Sequence, residues 1–554
     1  MSNIKQNNNP SKEKIERLIQ LLNSGQNLKV EKDSKRLLTK YKKSITVLSI
    51  IAAAQVAQDK LKNALHSYKK ITAINSKHLE TYLNIAIINE KLGHIQESIN
   101  NYNYVIELQP DNIKAYFNKG ILLQASQQYN DAINSYKQVI KLQPSNYEAF
   151  NNIGQAFHKI GDLKKALKSY LSAIKLNPVF YEAYYNQALA LEDSGKIYEA
   201  IQSYQNALDI NNSDPQIHWN LSLLQIMTGN LKDGWQNYKY GKFTKEKDRR
   251  FVQTPYVNWN GEKLTNKRIL ITAEQGIGDE IMFCSCIPDL IKHGPSQIII
   301  ECDQRISKIL TNSFEHIATI SRNNRSDDQW KKELGEVDYH IQAGDLPSFF
   351  RSNNKDSPLT VSYLIPDTQL IKKWKKRYDK LEHAFNIGIS WKGGINDQNR
   401  SFDLSKFVNI FSLNANFINL QYGDYSHEIT LCQEQYNITI NDWDDADSLL
   451  DLDNFSAQLA ALDLVISVDN STLHFAGAIG VKTYALLPYM SNYRWMINTN
   501  RSLWYPSVTL FRQKKSSNWD NVLNEIHSEL NTILAWFSFL YIKKSPALPG
   551  IFCT

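Results

Sequence analysis

Cysteine is scarce in this 554-residue chain: five residues, at positions 284, 286, 302, 432 and 553. Only Cys284 and Cys286 lie close together, and no second pair or histidine cluster accompanies them. The sequence therefore offers neither a zinc site nor a disulfide framework. All five read as reduced, structural thiols, which points to the cytoplasm. Long apolar runs are also missing. The run Ile533 to Ile542 covers roughly half of what a membrane span needs, so a packed terminal helix is expected there and no transmembrane segment anywhere. The N-terminus is polar and charged, with no signal peptide in view. Charge of one sign is thin, because the net +7 is spread over the whole length. Nucleic acid asks for a basic stripe, and none is present; the cluster Lys242 to Arg250 reads as a solvated linker. The composition is 42% hydrophobic and 21% charged, an ordinary globular balance. The length asks for roughly two to four domains.

What is present in abundance is a 34-residue period over the first 250 residues. With Ile45, Leu79, Ile113, Tyr147, Tyr181 and Pro215 as starts, the twentieth position reads Ala64, Ser98, Ala132, Ala166, Ala200 and Gly234. The twenty-fourth reads Tyr68, Tyr102, Tyr136, Tyr170, Tyr204 and Tyr238. Pro110, Pro144 and Pro178 fall where each helix pair must stop, since proline cannot continue a helix. Small residues at a fixed offset let two helices approach, and the tyrosines fill the space between pairs. This pattern resembles the tetratricopeptide repeat. A degenerate copy from Ser11 to Ser44, with Gly25 at its turn, brings the count to about seven. The expected organisation is an N-terminal segment over 1–44 and a superhelix with a concave binding face over 45–245. Position six adds Asn84, Asn118, Asn152, Asn186 and Asn220. Asparagines one repeat apart form a ladder that can donate to and accept from an extended peptide backbone, so protein partners are expected there.

Beyond Gly241 the helical period fades. Arg268 to Ala273 reads as a buried strand, followed by a glycine-bearing turn and a helix from about Asp279 to Lys292. Gln297 to Cys302 reads as the next strand, and the alternation continues to about residue 350. The charged helical stretch Leu370 to Leu381 leads into a second block. Its strands are expected at Asn386 to Trp391, Asn416 to Gln421, Leu464 to Val468 and Thr483 to Leu487. Its helices are expected at Leu404 to Phe411, Asn454 to Leu462 and Ser471 to Ile479. Alternation of this kind implies two doubly wound α/β units, over 256–365 and 385–530, with a tail over 531–554 and a ligand cleft at the carboxyl ends of the strands.

Two turns carry chemistry. The first is Glu274-Gln275-Gly276-Ile277-Gly278-Asp279. Ile281 stands where a dinucleotide turn would place its third glycine, and Asp279 would repel a pyrophosphate at the helix start, so a nicotinamide cofactor is not expected. A carboxylate at the mouth of a cleft suits proton abstraction from a hydroxyl. Asp279 is the candidate base, and Glu274 a lesser one. The second turn, Asp469-Asn470-Ser471-Thr472-Leu473-His474, reads as a helix start rich in hydroxyls and uncapped amides, suited to an anion. A helix end contributes about 0.3–1 kcal/mol, while micromolar affinity needs about 8 kcal/mol, so further cations must help. Lys392 and Arg400 are the candidates.

These motifs carry a resemblance. The stretches AEQGIGDEIMF (Ala273 to Phe283), ISWKGG (Ile389 to Gly394), NRS (Asn399 to Ser401), DLVISVDNSTLHFAGAIG (Asp463 to Gly480), YRW (Tyr493 to Trp495) and WYPSVTLFRQ (Trp504 to Gln513) resemble the glycosyltransferase family 9 heptosyltransferases, and bacterial transferases with tetratricopeptide repeats upstream. The resemblance implies a GT-B fold, inversion without a metal, and a nucleotide-sugar as co-substrate. It implies an acceptor, protein or glycan, on the first unit and the donor on the second. It carries the base onto Asp279. It carries donor binding onto Asn470, Ser471, Thr472 and His474; Gly276, Gly278, Lys392, Arg400 and Asp469 complete the candidate donor set. Lys392 stands where the family has a small residue. The rival expectation, from another class, is a non-catalytic repeat scaffold whose second half is an inactive transferase fold.

Overall fold

The computed structural model describes residues 9–244, 250–321, 334–353, 361–394 and 398–544. The molecule divides into two compact units, Met1–Asn212 and Ser213–Thr554.

The first unit is an array of antiparallel helix pairs. The degenerate pair comes first, Lys12–Asn23 with Asn27–Lys40. The first helices of the following pairs begin at Ile45, Leu79, Ile113, Tyr147 and Tyr181, the positions that the period predicts. Their partners begin at Leu61, Ile95, Tyr129, Leu163 and Ile197. The chain reverses through a left-handed residue 34 positions apart: Gly25, Asp59, Gly93, Gln127, Gly161 and Gly195 all have positive φ. Glycine adopts this conformation without a Cβ penalty. Asp59 and Gln127 hold it at 57° and 61° with a side chain attached, because the packed pair around them fixes the turn. Ala64, Ser98, Ala132, Ala166 and Ala200 are fully enclosed, and so are Tyr102, Tyr170 and Tyr204. At Gly120 an added Cβ would lie 2.6 Å from the Tyr136 ring, and at Gly154 it would lie 2.5 Å from that of Tyr170. The tyrosine of each pair thus occupies the space that a small residue on its partner helix leaves open.

One more pair, Pro215–Met227 and Leu231–Tyr238, keeps the repeat geometry, including Gly229 at φ 87°. The repeat domain expected to run to 245 is nevertheless divided: this last pair belongs to the second compact unit. Long-range bonds explain why. The Trp235 indole donates to the Arg351 carbonyl at 3.1 Å, the Ile497 amide to the Met227 carbonyl at 2.9 Å, and the Tyr238 hydroxyl to Glu274 at 3.0 Å. The array upstream of residue 213 is expected to fold by itself, because each repeat packs on its neighbours. Circular dichroism of residues 1–212 should show a cooperative, helix-dominated melt. A coil-like spectrum would mean that the array depends on residues beyond 212.

The second unit contains two parallel sheets. Strands β1 (Val257–Asn258), β2 (Arg268–Thr272), β3 (Gln297–Cys302), β4 (Ile317–Ser321) and β5 (Tyr339–Gln342) lie in the order β1-β5-β2-β3-β4. Strands β6 (Asn386–Ser390), β7 (Asn416–Asn419), β8 (Ile440–Asn441), β9 (Leu464–Val468), β10 (Thr483–Leu487) and β11 (Val508–Arg512) lie in the order β11-β10-β9-β6-β7-β8. Every pairing between these strands is parallel. Strands such as Leu464–Val468 are buried along their whole length, which requires cover on both faces. The strand order reverses between β2 and β5 in one sheet, and between β6 and β9 in the other. Ligands of open α/β sheets bind at such switch points, beyond the carboxyl ends of the strands.

Three expected elements differ. The helix placed over Asp279 to Lys292 is two pieces, Ile277–Cys284 and Ile287–Ile291, with Pro288 opening the second; proline lacks the N–H that would continue the first. The helix placed over Leu404 to Phe411 is a 3-10 turn, Leu404–Phe407, followed by one α turn. The terminal helix is longer than the run Ile533 to Ile542, spanning Asp520–Lys544. Among the described residues no helix is long and apolar enough to cross a membrane. Cys284, Cys286, Cys302 and Cys432 are buried; burial pushes the Cys286 and Cys432 thiols up to about 11. Cys553 and residues 545–554 of the expected tail lie outside the described residues.

Candidate functional site

The switch point of the second sheet is fastened by amides. Gln421, just past β7, accepts at its Oε1 from the Ser390 hydroxyl at 3.0 Å and from the backbone amides of Trp391 and Lys392 at 3.0 and 2.8 Å. Asn470, just past β9, donates to Ser390 Oγ at 2.8 Å and to the Lys392 carbonyl at 3.0 Å. Its Oδ1 accepts from the Leu473 amide at 3.3 Å and from Ser467 Oγ at 3.0 Å. Asn470 is thus the N-cap of the helix Ser471–Ile479, and the expectation of an uncapped start is corrected: one amide is taken from within. The amides of Ser471 and Thr472 remain among those that a helix leaves without intrahelical partners.

The other candidates around that turn divide. Ser471 is partly exposed at the helix start. Thr472 is buried, and its hydroxyl donates to the Leu420 carbonyl at 3.4 Å. Arg400 donates to the Asp469 carbonyl at 3.0 Å and to its carboxylate at 3.4 Å. The Lys392 ammonium lies 3.4 Å from Glu428, which it neutralises. His474 is 4% exposed. Its Nδ1 is 2.8 Å from the Tyr505 hydroxyl, and its ring stacks on Trp495 at 5.5 Å. Burial lowers its pKa to about 4, against the pull of Asp469. Burial thus favours the uncharged ring, packed between Tyr505 and Trp495.

The first sheet presents its turn to the same place. Gly276 caps the helix Ile277–Cys284 at φ −73°, and a Cβ there would meet nothing within 4 Å. Gly278 serves close approach: a Cβ there would lie 2.9 Å from the His474 ring. Gly278 thus lets the two halves of this unit pack together. Asp279 sits in the first turn without capping it. Its carboxylate instead accepts from Arg494 Nε at 2.6 Å and from Nη2 at 2.5 Å. Burial opposes the Arg494 charge, but Asp279, Tyr493 and Asp469 outweigh it and hold its pKa above the usual guanidinium value. The Gln275 amide, in its swapped orientation, donates to Asp279 at 3.1 Å, with its oxygen 3.3 Å from the Tyr238 hydroxyl. Glu274 is 3% exposed and walled in: a Cβ on Gly344 would lie 1.9 Å from its Oε1. The lesser base candidate is therefore a structural partner of the Tyr238 hydroxyl.

The unit also has an open depression of about 490 Å³. Lys239, Lys242 and Phe243 from the turn after the last helix pair, Asn258 at the end of β1, Asn260 beyond it, and Asp345 past β5 line it. Aromatic rings, amides and two cations on one wall suit a polar acceptor.

The asparagine ladder is half-buried and partly used within the array. Asn118 donates to the Tyr102 hydroxyl at 3.3 Å, Asn152 accepts from the Asn151 amide at 3.5 Å, and Asn186 donates to Asn151 at 3.0 Å. Asn84 is half-buried as well. Asn220, in the second unit, accepts from Gln216 at 3.0 Å. Asn118 and Asn186 thereby join neighbouring repeats.

Arg494, Gln421, Gln275, Tyr238 and Tyr505 are the site residues that sequence reasoning missed. Arg494 lies inside the YRW stretch, which was its only signal.

The tetratricopeptide repeat family matches residues 79–112, 101–134 and 147–180, and the TPR repeat family matches 122–161 and 190–229. The chain therefore carries tetratricopeptide repeats, a protein-interaction module. Protein FlbA of Caulobacter vibrioides is 28% identical over 296 residues, which cover 51% of this chain and 49% of that protein. The chain thus spans about half the length of the curated relative it matches. Among solved structures, the C-terminal part of a TPR repeat-containing protein from Cytophaga hutchinsonii is 15% identical, with a TM-score of 0.37, covering 42% of this chain and 97% of that one. MamA from Desulfovibrio magneticus RS-1 is 18% identical, with a TM-score of 0.29, covering 30% and 95%.

Proposed function

We propose that the chain is a glycosyltransferase of the GT-B kind, inverting and metal-independent, that moves a sugar from a nucleotide-sugar to an acceptor recognised with the help of its repeats. One observation carries the reading. Two parallel sheets in one compact unit bring their switch points together, and a carboxylate from one, Asp279, meets an arginine, Arg494, that follows β10 of the other. A base for the acceptor hydroxyl and cations for the leaving diphosphate are what such a transfer asks for. Asp279 takes the proton, while Arg400, Arg494 and the amides of Ser471 and Thr472 receive the diphosphate. The repeats and the open depression lined by Lys239, Asn260 and Asp345 serve the acceptor, a protein or a cell-envelope glycan. The motif resemblance in the second half supports the same reading, and the cytoplasm is the compartment that fits it.

The rival is a repeat scaffold with an inactive second half. The occupied Asp279 favours it, since a base already held by an arginine is not free. Calorimetry with UDP, GDP and ADP, with and without EDTA, separates the two. One nucleotide is expected to bind with or without the chelator. Binding of none of them leaves the scaffold; binding that vanishes with EDTA removes metal independence.

A further inference from the structure

Two couples of opposite charge meet at the junction of the sheets. Asp279 is held by Arg494, and Asp469 by Arg400. His474 lies between them, enclosed and 3.9 Å from Asp469. The Arg494 side chain is 13% exposed and that of Asp279 12%, so neither is bathed in solvent that could replace a lost partner. The four charges cancel. A diphosphate entering this place adds at least two negative charges to a balanced cluster. The Arg494 guanidinium must then divide itself between carboxylate and phosphate, and arginine suits both because its planar fork matches either geometry. A carboxylate that loses its cation gains proton affinity.

We propose that Arg494 is a shared partner: it holds Asp279 in the empty site and the donor's diphosphate in the loaded one, so that donor binding frees the base. This rests on the glycosyltransferase reading. The acceptor oxygen bonds to the anomeric carbon as the bond from that carbon to the diphosphate oxygen breaks. The electron pair leaves on the diphosphate, facing Arg494, and the acceptor's proton ends on Asp279. A free Asp279 before the donor arrives would serve only water. The exchange makes the base available only when there is a sugar to transfer, and gives an ordered sequence, donor first.

Coupling of this kind is reciprocal. If the diphosphate takes Arg494 from Asp279, then removing the Asp279 charge must strengthen diphosphate binding. The test is calorimetry on the full chain with whichever of UDP, GDP or ADP binds. Asp279→Asn is expected to bind it at least about threefold more tightly, and Asp279→Glu no more tightly than the parent. Arg494→Gln is expected to bind at least about tenfold more weakly, with Arg494→Lys in between. A purely structural ion pair predicts weaker binding in every variant. Parental binding with no tightening in Asp279→Asn, or with none lost in Arg494→Gln, overturns the inference but leaves the glycosyltransferase reading standing. No nucleotide binding by the parent overturns both. If Asp279→Asn does not fold, the affinity of Arg494→Lys relative to the parent decides.

Discussion

Asp279→Asn is expected to lose between about 10² and 10⁴ in turnover, the usual contribution of a positioned base. Turnover is read as nucleoside diphosphate released per enzyme from whichever donor binds. An acceptor hydroxyl is a poor nucleophile until its proton has somewhere to go, and asparagine keeps the size while removing the proton affinity. The substitution also acts on stability. Asp279 is 9% exposed and is the direct partner of a nearly enclosed guanidinium, and removing one side of a buried pair costs about 3–5 kcal/mol, less where the amide oxygen still accepts. The melting temperature should therefore fall in the empty protein and recover when nucleotide is added. Retention of more than about a tenth of parental turnover would reduce Asp279 to a structural partner of Arg494. Glu274→Gln is the companion variant. Because Glu274 is sealed behind Gly344 and Tyr238, its effect should appear in melting before it appears in rate.

Trp235→Ala should be the most damaging single change outside the cleft. The side chain is 1% exposed. It meets Tyr238, Trp504 and Tyr493 edge-on at 5.1, 5.9 and 6.5 Å and gives its indole proton to the Arg351 carbonyl. Truncation of a buried tryptophan costs about 3–5 kcal/mol. Arg351 lies directly beneath, 1% exposed at the side chain and held by Asp289 at 2.8 Å and by the Ser285 carbonyl at 2.6 Å. Water admitted by the cavity would reach that pair as well. Scanning calorimetry of the full chain should show the transition of residues 213–554 moved down and that of residues 1–212 unmoved. A shift worth under about 1 kcal/mol, or one shared equally by both transitions, would mean that the last helix pair belongs with the array rather than with the sheets.

The repeats were legible to the residue, because a 34-residue period forces each helix to begin at the same offset and small residues leave little freedom in how the pair closes. The central strands were equally plain: RILIT, QIIIEC and LVISV are apolar runs that only a sheet covered on both sides accepts. The two-residue strands Val257–Asn258 and Ile440–Asn441 were not, since so short an edge leaves no pattern. The site was half legible. The turns that bear Asp279 and Asn470 announce themselves by glycine, carboxylate and hydroxyl. What those side chains touch does not. Asp279 and Arg494 are 215 residues apart, Asn470 and Ser390 are 80 apart, and no local rule pairs them. The capping bond of Asn470 is invisible until the helix is built, and nothing near His474 in sequence reveals Tyr505 or Trp495.

The division at Asn212 also sets a rule for how this chain can change length. An array whose members touch only their neighbours can gain or lose one 34-residue module without disturbing the rest, so reach along a partner is an adjustable dimension. The pair Pro215–Met227 and Leu231–Tyr238 is exempt from that freedom. Its tryptophan, its tyrosine and a carbonyl at Met227 are committed to residues between 274 and 497. A module inserted upstream of residue 213 should leave the Asp279 turn as it is, while one inserted after Met227 would part Tyr238 from Glu274. The array is extensible at every joint except its last, and there it is a component of the site.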